Sequence, residues 1–323
     1  MPGRINSSNS IENAWNVLVC KGGIYFMNII NKAKKFLTKT IFIIPSLIAL
    51  GAVAVIPLIY AINSSFHDWN LHRPEASQFI GIDNYISLIR DFTFINSLTI
   101  TIIYTVITVG GTMIIGFLLA LLLQKPFKGV NVARALLTVP MIMTQVVIGL
   151  GFRVFLWEPD YGLVNWLLSL FNISGPAWVS QIPYAFIAAA ITHIWFMTPL
   201  VMIIMDASLA NIPDNIKDAA KIDGASYWQR IFYVIIPILK KTIIFTVLLR
   251  ITIDFRMFDI IHVLTGGGPG RSTQLLSIWV YNQALRAHNL GYANSGAILM
   301  MIIIALICGT ITYWGLLKGG PES

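Results

Sequence analysis

Four charged residues interrupt one otherwise apolar stretch of the chain: Arg250, Asp254, Arg256 and Asp259. A spacing of four puts Arg250 and Asp254 on one helical face, where guanidinium and carboxylate can pair. Arg256 and Asp259 are three apart and form a second candidate pair on roughly the opposite side. At membrane depth a charge costs ~2.5–3.5 kcal/mol on insertion scales, so each of these residues needs a reason to be there. Two roles are open to each pair: lining a polar path, or neutralising its own charge and fixing how helices pack. Arg153 lacks an obvious partner near the end of another apolar run, where its side chain can reach the polar boundary. His193, Trp195 and Met197 lie in a further apolar run, and Tyr281 and Asn282 in a loop. Aromatic faces stack on pyranose C–H faces and amides bond hydroxyls, so these residues are candidates for a sugar path. Trp and Tyr are also interfacial anchors, and a lone histidine on an apolar face most simply makes a helix–helix hydrogen bond.

No catalytic constellation accompanies them. HExxH and GxSxG are absent, and Asp254 and Asp259 lack the third polar partner a protease or transferase would need. GGGPGRST at 266–273 has the outline of a phosphate loop, but Arg271 stands where the lysine belongs and no strand precedes it. It reads as a turn ending an apolar run, so the chain has no nucleotide site of its own. Cys20 and Cys308 are far apart, which argues against a disulfide framework, and no metal-ligand spacing occurs.

The elements that position these residues follow from composition. Of 323 residues, 56% are hydrophobic and 11% charged, where soluble domains carry roughly 25% charged residues. Mean hydropathy is +0.75. An all-α, polytopic membrane protein is expected, with one membrane domain over 40–317 after an N-terminal segment at 1–39. A span needs ~20 apolar residues, which predicts six at 40–62, 94–123, 135–157, 183–205, 235–263 and 293–316. With the N-terminus inside, the inner segments hold fifteen of the 22 basic residues and the outer ones four, namely Arg73, Arg90, Arg271 and Arg286. That asymmetry places both termini in the cytoplasm. The net charge of +8 reflects it and calls for no nucleic-acid partner. An ion-coupled secondary transporter or channel, with Arg250 and Asp254 relaying ions, fits this much of the pattern.

Between the fourth and fifth spans lies a polar loop, DASLANIPDNIKDAAKIDGASYWQRIFYVIIP at 206–237. Pro213 suits a first helical turn, and Asp214 follows it near the positive end of the helix dipole. Ile212, Ile216, Ala219 and Ala220 recur at helical spacing and predict one apolar face, with Lys217, Asp218 and Lys221 beside it. Gly224 supplies the stop, and Ser226 with Gln229 has capping-box spacing for a second helix running into Pro237. The prediction is a short amphipathic helix, a glycine corner and a re-entry helix: a docking surface.

Asp218-Ala219-Ala220 followed by Asp223-Gly224-Ala225, with Pro237 beyond, resembles the EAA loop of ABC-transporter permeases of binding-protein-dependent importers. Asp218 stands where that family usually has glutamate, one methylene shorter. The order FIGIDNY, Gly116-Phe117, Pro140, Phe258-Asp259, TGGGP at 265–269 and Gly291-Tyr292 is similar to the carbohydrate-uptake branch, the group of the maltose and glycerol-phosphate importers. The resemblance implies a multi-pass protein of the bacterial cytoplasmic (inner) membrane, embedded in lipid, carrying a sugar or oligosaccharide. Within the branch the chain looks like permeases for acidic oligosaccharides such as alginate fragments. It also implies a second homologous permease subunit, two ATPase subunits that bind ATP and Mg, and an extracytoplasmic solute-binding protein. Asp218, Ala219, Ala220, Asp223, Gly224, Ala225 and Pro237 would then couple this chain to the ATPase.

Overall fold

The computed structural model describes residues 43–125 and 127–317. The segment 1–39, the first residues of the expected first span and the C-terminal residues past 317 lie outside the described residues. The chain divides into two units, Met1–Tyr60 and Ala61–Ser323. In the first, residues 43–60 form most of α1 (Ile43–Ser65), an uninterrupted apolar helix.

Among its described residues the second unit is largely helical, with one short antiparallel pair, β1 (His67–Asp68) with β2 (Gln78–Phe79), as a departure from the all-α expectation. Then follow α2 (Asp83–Arg90), α3 (Phe92–Leu123), α4 (Val130–Ile142), α5 (Gln145–Leu156), α6 (Leu163–Ser169) and α7 (Tyr184–Ala210). After them come α8 (Asp214–Ile222), α9 (Tyr227–Ile238), α10 (Lys240–Asp254), α11 (Asp259–Leu264), α12 (Leu276–Tyr281) and α13 (Leu290–Gly315). Four of these helices, α1, α3, α7 and α13, are long and apolar enough to cross a membrane unbroken. Two pairs, α4 with α5 and α9 with α10, reach that length only together, bent by 97° and 72°.

Both bends replace expected straight spans, and local chemistry accounts for them. The stretch 135–157 breaks where Met143 and Thr144 turn extended, three residues after Pro140, whose ring nitrogen cannot donate to the carbonyl of Leu136. The stretch 235–263 breaks twice: at Leu239, two residues after Pro237, and again at 255–258 between α10 and α11.

Small residues draw α3 and α7 together. A Cβ on Gly116 would sit 2.8 Å from Val201 Cβ, and one on Gly111 2.6 Å from Ile194 Cδ1. Ala185, Ala188, Ala189 and Ala190 are buried along α7. In a lipid-like environment this close approach, gaining dispersion contacts, is what holds helices together. Asp91 caps α3 by accepting from the Thr93 amide at 2.7 Å. Within the second unit, residues around the α3–α7 pair pack into several clusters, among them one on Tyr104, Ile148, Trp157 and Ile260 and another on Ala120, Val201, Met205 and Ile231.

Candidate functional site

The loop following α7 folds through short-range interactions. Asp214 opens α8 directly after Pro213. Gly224 adopts φ +77, a left-handed conformation that β-carbon-bearing residues resist. The Gly224 amide donates to the Lys221 carbonyl, and the Ala225 amide to that of Ala220, both at 3.1 Å. That pair of bonds is a Schellman closure, which satisfies two carbonyls at the helix end. Two residues on, the Ser226 hydroxyl accepts from the Gln229 amide and the Gln229 side chain accepts from the Ser226 amide, a reciprocal capping box. The expected amphipathic helix, corner and re-entry helix are all present.

The apolar face of α8 is split. Ile212 and Ala220 are buried against the body, whereas Ile216 and Ala219 face out. Ile222, absent from the expected face, is 86% exposed. Along the outer side, Lys221 Nζ donates to Asp218 Oδ1 at 2.7 Å. That hydrogen bond, followed by the charge of Lys221, holds the Asp218 carboxyl below its ordinary range. Asp223 caps the C-terminus of α8, and Pro237 lies in α9 just before the bend.

Three helices are tied together close to the start of this loop. Arg134 of α4 pairs with Asp206 of α7 at 3.1 Å, and Gln124, at the end of α3, donates to Asp206 Oδ1 at 2.8 Å. Nothing in the spacing of these three residues marks them as partners.

The second constellation lies where α3, α7 and α10 meet. Arg250, Asp254 and His193 are each completely buried. Arg250 Nη2 sits 2.8 Å from Asp254 Oδ1 and 3.0 Å from Oδ2, so one nitrogen spans both carboxylate oxygens. The Thr108 hydroxyl donates to Asp254 Oδ2 at 2.5 Å. His193 Nε2 lies 3.6 Å from Asp254 Oδ1, while its Nδ1 is 3.0 Å from the Tyr104 hydroxyl. Tyr104 in turn donates to the Ala189 carbonyl at 3.3 Å. All five of these side chains are buried, so the junction ties α3, α7 and α10 together away from the surface. Sequence reasoning reached Arg250, Asp254 and His193 but missed Tyr104 and Thr108. A signal was available: Ser97, Thr101, Tyr104, Thr105, Thr108 and Thr112 form a polar stripe at helical spacing along α3.

Arg256 and Asp259 do not pair. Both are exposed, and Arg256 Nε donates to the Thr252 carbonyl at 3.1 Å. The i, i+3 geometry fails because the helix stops at Asp254 and restarts at Asp259. Arg153 is anchored after all, its Nη1 donating to the Val263 carbonyl at 3.0 Å. Trp195 packs against Phe152, ring centroids 4.9 Å apart and planes tilted by 50°, and lines an apolar cavity of about 570 Å³ with Pro140, Ile191, Ile194 and Pro199. His193 and Trp195 therefore face different surroundings, although only two residues separate them.

Residues 112–316 match the family described as "Binding-protein-dependent transport system inner membrane component". The chain belongs to this family. It is 32% identical over 272 residues to the trehalose/maltose transport system permease protein MalF of Thermococcus litoralis, covering 84% of this chain and 90% of that one. Identity to the sulfoquinovosyl glycerol transport system permease protein SmoG of Agrobacterium fabrum is 31%, over 85% and 88% of the two chains. Among solved structures, a bacterial alginate ABC transporter in complex with an alginate pentasaccharide-bound periplasmic protein contains a chain with TM-score 0.78. That chain is 18% identical, covering 89% of this chain and 96% of itself, and shares the fold. The protein is thus a multi-pass permease of a binding-protein-dependent transport system, and its relatives are transporter permease subunits. Membership displaces the ion-coupled transporter reading.

Proposed function

We propose that this permease carries a sugar or oligosaccharide inward across the bacterial cytoplasmic membrane as one half of a two-permease pathway. Each bent pair counts as one span, giving six, with both termini and the 206–237 loop in the cytoplasm. The excess of Lys and Arg on that side supports this orientation. A second homologous permease, two ATPase subunits holding ATP and Mg, and an extracytoplasmic binding protein complete the importer. Names borne by relatives, trehalose/maltose and sulfoquinovosyl glycerol among them, support a saccharide cargo.

α8 carries this reading. It is a nine-residue helix, fixed at its end by a Schellman closure, that presents Ile216, Ala219 and Ile222 outward. Apolar side chains offered in that way to water are costly unless a partner covers them. When the ATPases close, α8 moves as a rigid lever. Ile212 transmits the motion to Leu209, Ala120 and Ile231 in one packed cluster, and Asp206 passes it to Arg134 and the bent α4–α5 pair. Asp218 and Gly224 hold the docking face and its corner.

Affinity capture of the tagged chain in mild detergent, with mass spectrometry and an ATPase assay, tests the assembly. Recovery of an ATPase and a second permease, with hydrolysis stimulated by sugar-loaded binding protein, is the expected result. Recovery of the chain alone, taking up solute without ATP, would overturn it.

A further inference from the structure

At the end of α3 opposite to Gln124 and the loop helix, the fold carries a polar pocket. α3 is 32 residues long, so ~48 Å separates its two ends, enough to cross a bilayer. Thr93, Arg271, Gln274, Asn282, Gln283 and Arg286 line a cavity of about 380 Å³, and the buried ring of Trp279 forms part of its wall. No carboxylate lines it. Asp91, which lies behind Thr93, accepts from the Thr93 hydroxyl at 2.7 Å and from the Tyr292 hydroxyl at 3.1 Å. Neither arginine forms an ion pair among the described residues. The side chains of Gln274, Asn282 and Gln283 make no hydrogen bond there either, and Asn282 Oδ1 is buried without a partner.

Arg271 and Arg286 are both exposed, and local structure holds Arg271 with some strain. Arg271 is held at φ +69, a left-handed conformation uncommon for a residue with a β-carbon. The turn is fixed on both sides. The Thr265 and Thr273 hydroxyls are 2.7 Å apart, and Thr273 donates to the Gly268 carbonyl at 2.8 Å. Arg286 is braced over the Tyr281 ring, 5.8 Å from its centroid. Strain of this kind collects where a side chain must be presented to a ligand.

We propose that this pocket binds a carboxylate-bearing sugar residue at the outer mouth of the permease. The chemistry is divided in the way such a ligand requires. Two unpaired guanidiniums offer charge-assisted hydrogen bonds to a carboxylate. Three carboxamides offer donors and acceptors to ring hydroxyls, and the volume suits one or two pyranose units. A phospholipid headgroup would use the arginines and leave most of the amide capacity unmet. This inference rests on the saccharide-import reading and deepens it: the cargo class would be an acidic saccharide, met first by Arg271 and Arg286.

The test is equilibrium binding of digalacturonate and its neutral dimethyl ester to the importer in lipid nanodiscs, with Arg271→Gln and Arg286→Gln beside wild type. Wild type should prefer the acid by tenfold or more, and either substitution should erase that preference while the thermal unfolding midpoint stays put. Equal binding of acid and ester, no binding, or an acid preference that survives both substitutions would overturn the proposal. So would failure of digalacturonate to bind while unloaded binding protein loses affinity in both variants, because the pocket would then be a protein-docking socket. ATP-driven uptake of maltose and of digalacturonate, measured in proteoliposomes, reads the underlying function separately. Loss of uptake for every sugar would overturn the import reading, whereas sugar uptake without the acid preference would overturn the pocket alone.

Discussion

The loop at 206–237 and the junction of α3, α7 and α10 both depend on charged side chains, yet they are built in opposite ways. In the loop's helix and corner, from Asp214 to Gln229, the contacts span a few residues: Asp218 to Lys221, Ser226 to Gln229, Gly224 to Lys221. Asp218 and Lys221 are exposed, so their mutual attraction is screened, and Ile216, Ala219 and Ile222 point outward. In the junction Thr108 reaches Asp254 across 146 positions of sequence and Tyr104 reaches His193 across 89, with no water access. Exposed, locally ordered groups can be met by another protein. Sealed, long-range ones have only each other to meet, and even so Arg250 Nε and Nη1 are buried without a hydrogen-bond partner. On the proposed reading, the contrast separates a surface that would transmit force from a junction that would let helices move together.

The largest effect should follow from breaking the junction. Asp254→Ala leaves a buried guanidinium uncompensated, a loss of about 3–5 kcal/mol that should abolish accumulation of folded chain. The pair substitution Arg250→Met with Asp254→Leu should restore most of the thermal stability in detergent, because an apolar pair of similar volume needs no compensation. Restored stability and uptake would assign the pair to packing. Restored stability with dead transport would break the comparison and give the junction a role in the path.

Next in size is Gly224→Val. A β-branched residue at φ +77 costs about 1–2 kcal/mol locally. The chain should insert and assemble, while uptake falls at least tenfold. Uptake indistinguishable from wild type would remove the corner from the mechanism. Ser226→Ala should cost about 1 kcal/mol through loss of the capping box, detectable as faster hydrogen exchange over 226–230. Unchanged exchange there would mean that α9 is held by packing alone.

The smallest effect concerns pH. Because Lys221 lowers the folded-state value of the Asp218 carboxyl, its contribution is present above the ordinary aspartate range and fades as pH falls through the lowered value. At a fully exposed group screening leaves little of it, so the thermal midpoint of Asp218→Asn should match wild type from pH 5 to pH 8. A substitution-dependent slope in that window would show that Asp218 is less exposed in the assembled importer.

How much was legible follows the same division. Pro213, Gly224, Ser226 and Gln229 carry their own geometry, so the loop could be read residue by residue. Arg250 and Asp254 were found because four residues separate them on one helix. Arg256 and Asp259 were misjudged by the same rule, since nothing nearby announced that the helix stops between them. Pro140 and Pro237 were visible, but a proline tells where a helix is weak and not how far it bends. The bends of 97° and 72° depend on what each half packs against. The Arg134–Asp206–Gln124 tie and the Thr108–Asp254 bond join helices through partners no spacing rule could select.

The most direct measurement is sugar uptake and ATP hydrolysis followed in parallel in proteoliposomes holding the complete importer, wild type against Gly224→Val. Coupling through the 214–222 helix predicts that the variant still hydrolyses ATP while sugar transported per ATP falls at least tenfold. An unchanged ratio of sugar to ATP would contradict it.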